Sequence, residues 1–310
     1  MKVLVSGGAG FIGSHLVERL TREGNEVVVV DDLSNGSLDN LEEIRNEIKF
    51  YRDDVSSLEF YNWIKNTDFD VIYHLACFPR SFSFDDPIRD YQVNIGSMIN
   101  LVHAFKNKNT RIIFSSNSGI YDTSELPINE KTTDNPQTPY DLNKLTSERY
   151  LQLYAKTFNL PFVIFRFGTV YGERQKLSDI WRPVIMEFID KLSRGKPATI
   201  YDDGKQTRDF INVRDIVDAL IKASYTNEAL YKTMILGSGV ETSINELYSI
   251  ICYKLGGYIE PNREAKKLGD IRRMRYDCRE AERILGWSAK ISLEEGINKI
   301  LEWRKTGRVS

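Results

Sequence analysis

The chain has 310 residues, 41% apolar and 28% charged, enough for one large domain or two moderate ones with a sizeable core. A net charge of −2 with no basic stripe leaves a nucleic-acid partner without electrostatic support. The apolar stretches fall well short of the ~20 residues a membrane span needs, and Met1 to Val5 leads into glycines without the apolar core and cleavage site of a signal peptide.

In chain order, "KVLVS" (2–6), "EVVVVD" (26–31), "IKFYR" (48–52), "DVIYHLA" (70–76), "RIIFSS" (111–116) and "PFVIFRF" (161–167) are short β-branched or aromatic runs that predict strands. Between them lie segments of helical period. "FIGSHLVERLTREG" places Ile12, Leu16 and Leu20 on one face and stops at Gly24, and residues 90–108 and 141–158 repeat the pattern. Strands separated by helices make βαβ units, so the class is α/β with a Rossmann-type doubly wound parallel sheet. Beyond Gly172 the sequence turns mainly helical, with helices predicted over 183–195, 213–226, 243–257 and 292–305 and a short strand in "KTMILG" (232–237). The expected division is a dinucleotide-binding domain of residues 1–170, joined by 210–237, and a smaller lobe of 171–209 and 238–310.

"VLVSGGAGFIGSHL" joins the first strand to the first helix. Gly8, Gly10 and Gly13 fit G-x-G-x-x-G, and Gly7, Gly10 and Gly13 fit G-x-x-G-x-x-G. Both put glycine where the backbone turns tightly and meets a pyrophosphate at a helix N-terminus, whose free N–H groups and dipole favour anions. The second strand ends at Asp31, and Asp32 follows. A carboxylate there accepts from ribose hydroxyls and repels a 2′-phosphate, and "DDLSNGS" holds no Arg or Lys, so the expected cofactor is NAD rather than NADP.

"TPYDLNK" contains Tyr140 and Lys144, one helical turn apart. An ammonium beside a phenol favours the phenolate, and a tyrosine so poised takes a proton from an alcohol while a nicotinamide takes the hydride. Tyr61 with Lys65 and Tyr201 with Lys205 share the spacing. Tyr140 differs because it opens a helix after the polar end of the fifth strand, "SSNSG". Cys77, Cys252 and Cys278, odd in number and far apart, suit reduced thiols and a cytoplasmic protein. His15, His74 and His103 stand apart from one another and from the cysteines, so no metal site is expected.

"SGGAGFIGSHL", "VVDDLSNG", "VIYHLA", "SSNSGIY", "PYDLNK", "FRFGTVYG", "GKQTRDFINVRD" and "AERILGW" together resemble the extended short-chain dehydrogenase/reductase family. Within it they resemble the NAD-dependent nucleoside-diphosphate-sugar epimerases and dehydratases, and most of all the UDP-galactose 4-epimerase-like branch. The resemblance implies that Phe11, Ile12, Asn35, Asp54, Val55, Leu75, Ala76, Asn94 and Phe167 join the glycines, Asp31, Asp32, Tyr140 and Lys144 around NAD. It also implies a strand-end hydroxyl four residues before Tyr121, where this chain has Asn117. The amide can orient an alcohol but cannot relay a proton, and Ser116 or Ser118 would supply the hydroxyl if the strand end shifts. For the sugar nucleotide it implies Arg208 on the diphosphate, with Thr169, Arg174, Tyr201, Lys267 and Asp270 around it. Thr169 stands in place of an asparagine, and Lys267 in place of a second arginine. The smaller lobe would then bind a nucleoside-diphosphate sugar, in a homodimer whose helices over 90–105 and 140–155 pair with their copies.

A dehydratase of this family would carry Asp-Glu where Ser118 and Gly119 stand, and a decarboxylase Glu at Gly119. An epimerase needs only oxidation, reorientation of the keto-sugar and hydride return. The expected activity is therefore NAD-dependent epimerisation of the UDP-glucose/UDP-galactose 4-epimerase type. The alternatives are a CDP-tyvelose-type 2-epimerase, a dehydratase, or a non-catalytic NAD or sugar-nucleotide sensor on the same fold.

Overall fold

The computed structural model describes residues 1–177, 182–265 and 271–306. The chain runs β1 (Lys2–Ser6), α1 (Phe11–Arg22), β2 (Glu26–Val30), β3 (Lys49–Tyr51), α2 (Leu58–Ile64), β4 (Val71–His74), α3 (Pro87–Tyr91), α4 (Ser97–Phe105), β5 (Arg111–Asn117), α5 (Pro139–Phe158) and β6 (Phe162–Phe167). It continues with β7 (Thr169–Tyr171), α6 (Val184–Ser193), β8 (Thr199–Tyr201), β9 (Thr207–Arg208), β10 (Phe210–Asn212), α7 (Val213–Tyr225) and β11 (Lys232–Leu236). Last come β12 (Thr242–Ser243), α8 (Ile244–Lys254), β13 (Asn262–Glu264), α9 (Arg279–Leu285) and α10 (Leu293–Lys305).

Seven strands form one sheet in the order β11-β6-β5-β4-β1-β2-β3, and every pairing in it is parallel. All six strands read from the first half belong to this sheet, and the "KTMILG" strand completes its edge beside β6. The doubly wound class follows from side-chain alternation. Val3 and Val5 of β1 enter one core with Leu16 and Val17 of α1 and Leu220 of α7. Leu4, between them, enters the opposite core with Phe60 of α2, Leu101 of α4 and Leu151 of α5. A third core joins α6, α8 and α10 through Phe188, Ile189, Leu247, Tyr248, Ile297 and Ile300. The helices α2 and α9 have seven residues each, too short for a periodic apolar face to stand out in the sequence.

Helix α5 begins earlier than the apolar period suggests. Thr138 accepts from the Asp141 N–H as N-cap and Pro139 fills the first position, so Tyr140 and Asp141 lie in the first turn. Between α3 and α4 the helix widens into a π-turn, Gln92–Gly96, which sets Asn94 against the loop after β4. Among the described residues no helix is long and apolar enough to cross a membrane.

Candidate active site

The glycine turn follows β1 as read. Gly7 has φ +72°, and a Cβ on it would lie 2.7 Å from the Ala76 nitrogen. One on Gly13 would lie 2.1 Å from the Gly7 carbonyl oxygen, so neither position admits a side chain. Gly10, the N-cap of α1, makes no side-chain cap bond, which leaves the helix N-terminus open to an anion. The buried Asp31 carboxylate accepts from the N–H groups of Ala9 and Leu33, each at 2.9 Å. This ties the end of β2 to the turn. An uncapped helix N-terminus, a backbone too close for side chains and a carboxylate at the next strand end fit a dinucleotide.

Asn35, Asp54, Val55, Leu75, Ala76 and Phe167 lie at or just beyond the C-terminal ends of β2, β3, β4 and β6, the edge of the parallel sheet that carries the turn. Val55 is buried, and Phe167 is buried at the end of β6. The Phe11 ring meets His15 edge-on at 6.2 Å, and Ile12 packs on the core beneath. Leu75 and Ala76 follow β4, and Asn94 accepts from the Phe78 N–H at 3.3 Å, which fixes the loop beyond them. Asn35 lies exposed in the bend after Asp32. The sequence around Asp32 holds no cation, but the fold brings one: Arg89 of α3 lies 2.7 Å from Asp54 and 3.5 Å from Asp32.

Tyr140 and Lys144 share a face of α5 as expected. The Lys144 ammonium is buried, 5.7 Å from the Tyr140 ring centroid and 4.7 Å from that of Phe114. The groups around the phenol work against the ammonium. Burial, the nearby Cys77 thiol and the Asp141 carboxylate push Tyr140 well above the usual tyrosine range. That reverses the direction expected from the Tyr–Lys spacing, because a spacing rule does not carry desolvation.

The polar end of β5 divides its work. Ser115 donates to the His74 carbonyl oxygen. The Ser116 hydroxyl donates to Glu148, which pairs with Arg166 at 2.7 Å in the interior, so Ser116 is spent on a structural network. Asn117 donates through Nδ2 to Asp141 and accepts from the Gly119 N–H at 3.1 Å. Ser118 lies 2.6 Å from the Tyr276 hydroxyl. Asn117 and Ser118 line one cavity with Thr169 and Arg208, and so does Arg80. Arg208 donates through one nitrogen to the carbonyls of Thr207 and Ile271, each at 2.7 Å, which holds it at the rim.

Two other anticipated substrate residues lie elsewhere. Arg174 pairs with Glu18 of α1 and does not line this cavity; its backbone is left-handed, with φ of 66°. Tyr201 belongs to β8, which pairs with β13 outside the large sheet. Lys267 and Asp270 lie outside the described residues. The sequence reading missed Arg80, Asp141, Cys77 and Tyr276. Only Asp141, adjacent to Tyr140, carried a signal that could have been used.

The model of the NAD dependent epimerase/dehydratase family matches residues 3–237. The chain belongs to that family. It is 34% identical over 308 residues to a putative UDP-glucose 4-epimerase of Methanocaldococcus jannaschii, covering 98% of both chains. It is 35% identical over 309 residues to the UDP-glucose 4-epimerase of Mycolicibacterium smegmatis, again covering 98% of each. Among solved structures, the UDP-glucose 4-epimerase of Thermotoga maritima with UDP-glucose superposes with a TM-score of 0.93 at 30% identity, covering 99% of both chains.

Proposed function

We propose that this NAD-dependent epimerase acts at C4 of a nucleoside-diphosphate hexose of the UDP-glucose/UDP-galactose type, through a transient keto-sugar. The observation that carries this reading is the cavity shared by Asn117, Ser118, Thr169 and Arg208 at the end of the strand beside Tyr140 and Lys144. The names of the relatives support uridine as the base. We assign residues 1–170 with 210–237 to the cofactor and 171–209 with 238–310 to the sugar nucleotide.

The Gly7–Gly13 turn and Asp31 would hold NAD, which when bound would supply the hydride acceptor and later the donor. Tyr140, as the phenolate, takes the proton of the C4 hydroxyl to become the phenol, and gives that proton back after the sugar has turned. Lys144 favours the charged phenol during that exchange. Asn117 orients the hydroxyl, and Arg208 grips the diphosphate, so the nucleotide stays bound while the keto-sugar rotates. A dehydratase or decarboxylase needs a further carboxylate at 118 or 119, and the residues there are Ser118 and Gly119.

Turnover of UDP-, CDP-, dTDP- and GDP-sugars, with both epimers followed by NMR, tests this. Interconversion of a UDP-hexose pair is expected. NAD binding without turnover of any sugar would favour the sensor reading, and a 2-epimer product would favour the CDP-tyvelose-type one. We also propose a homodimer through α4 and α5, since Tyr91, Leu142 and Leu153 stand 53%, 53% and 57% exposed around these helices. Three unpaired cysteines suit a reducing cytoplasm. Light scattering at micromolar concentration checks the dimer.

A further inference from the structure

We propose that Arg80, Asp141 and Asn117 form a charge-compensated clamp that sets the electrostatic balance at the Tyr140 hydroxyl and the orientation of the strand-end amide. The proposal rests on the assignment of Tyr140 as proton acceptor.

Asp141 directly follows Tyr140, and its side chain is fully buried. Arg80, from a turn sixty-one residues earlier, reaches it as a fork, with Nε 3.0 Å from one oxygen and Nη2 2.9 Å from the other. Asn117 donates to the same carboxylate, and its carbonyl oxygen accepts from the Gly119 N–H. The amide can face only one way: Nδ2 lies against an acceptor and Oδ1 against a donor. The clamp also decides what position 119 can be. A Cβ there would lie 2.8 Å from Asn117 Nδ2 and 2.9 Å from Asp141 Oδ1, so a side chain at 119 would have to force the pair apart.

A buried carboxylate beside a phenol disfavours the phenolate, and a guanidinium locked onto that carboxylate opposes the effect with a charge of the other sign. The groups that act on Tyr140 come from several elements. Lys144 and Asp141 lie on α5, Asp90 on α3, Cys77 in the loop after β4, and Arg80 three residues beyond it. Of these, Asp141 and Arg80 form a pair of opposite sign in direct contact. Removing one exposes the other to Tyr140, and removing both restores the balance. Arg80 and Asp141 are thus positioning residues that act through Tyr140 and Asn117.

The NAD-loaded enzyme tests this through the acidic limb of the kcat/KM profile in wild type, Asp141→Asn, Arg80→Met and the double variant. Asp141→Asn leaves an uncompensated guanidinium and should move the limb to lower pH by roughly half to one unit, the effect of one charge in a partly screened site. Arg80→Met should move it to higher pH by a similar amount, and the double variant should return close to wild type. Asp141→Asn is nearly isosteric and keeps an oxygen for Asn117 and Arg80 Nε but turns an amide N–H toward Arg80 Nη2, so the double variant, which leaves neither charge unpaired, is the control for folding. A substrate-free readout runs beside it: the tyrosinate absorbance titration of each variant minus that of its Tyr140→Phe counterpart. Shifts of opposite sign for the single variants support the clamp, and unmoved limbs or shifts of the same sign overturn it. If Tyr140→Phe keeps its activity while the tyrosinate titrations still shift in opposite directions, the clamp stands and the assignment of Tyr140 as base falls.

Discussion

The Lys144 ammonium donates to the main-chain carbonyl oxygen of Ser115 at 2.8 Å. This bond ties the first turns of α5 to the end of β5 and brings the helix that bears Tyr140 to the strand that bears Asn117. With its side chain buried between the Phe114 and Tyr140 rings, Lys144 has little freedom, and burial lowers its pKa. A carbonyl acceptor and two ring faces keep the ammonium charged where water is scarce.

From this geometry Tyr140→Phe should lower kcat by about 10²–10⁴-fold, the usual contribution of an acid–base group. NAD affinity should stay near wild type, since the ring and the Lys144 contact remain. Single-turnover kinetics and NAD titration measure the two quantities. Activity above a tenth of wild type would exclude Tyr140 as the proton acceptor.

Asn117 and Ser116 should separate function from stability. Asn117→Ala removes a group from the cavity and should cost about 1–3 kcal/mol in kcat/KM. Ser116→Ala takes a donor from the buried Glu148–Arg166 pair, so it should cost about 1–2 kcal/mol in folding stability and little in kcat/KM. Kinetics with urea unfolding of both variants decides it, and the reverse pattern would assign the catalytic hydroxyl to Ser116.

Asp31→Ala should weaken NAD binding and narrow the preference for NAD over NADP. It removes the carboxylate that would meet the ribose and leaves the Ala9 and Leu33 N–H groups without their acceptor. Calorimetric titration with both dinucleotides checks this. An unchanged ratio of affinities would show that Asp31 does not read the ribose.

His74 lies between Ser6 and Ser97, with ring nitrogens 2.7 and 3.0 Å from their hydroxyls. Burial lowers its pKa to about 3, from an ordinary value of 6.5. The folded chain therefore excludes a proton that the unfolded chain binds. This stabilisation is complete above pH 6.5 and declines as the pH falls toward 3, with a slope approaching about 1.4 kcal/mol per pH unit. His74→Asn should be less stable at pH 7 yet flatter with pH between 6 and 4, by urea unfolding. A parallel decline in both proteins would place the acid sensitivity elsewhere.

What the sequence by itself determined was the frame. Local patterns carry it: β-branched runs for the strands, helical period for α1, α4 and α5, and the glycines whose missing side chains mark the close approach of backbone to Ala76 and Gly7. Tyr140 and Lys144 were legible too, because neighbours on one helix face are set by chain geometry alone. The rest depends on distance in space. Arg80 lies sixty-one residues from the carboxylate it grips, and Arg89 reaches Asp54 and Asp32 from another helix. Ser116 and Ser118 read alike in the chain, yet the pleat sends one to Glu148 and the next turn sends the other to Tyr276. The proton affinity of Tyr140 was decided last of all, because desolvation and opposing charges belong to the packed structure and to no single segment of the chain.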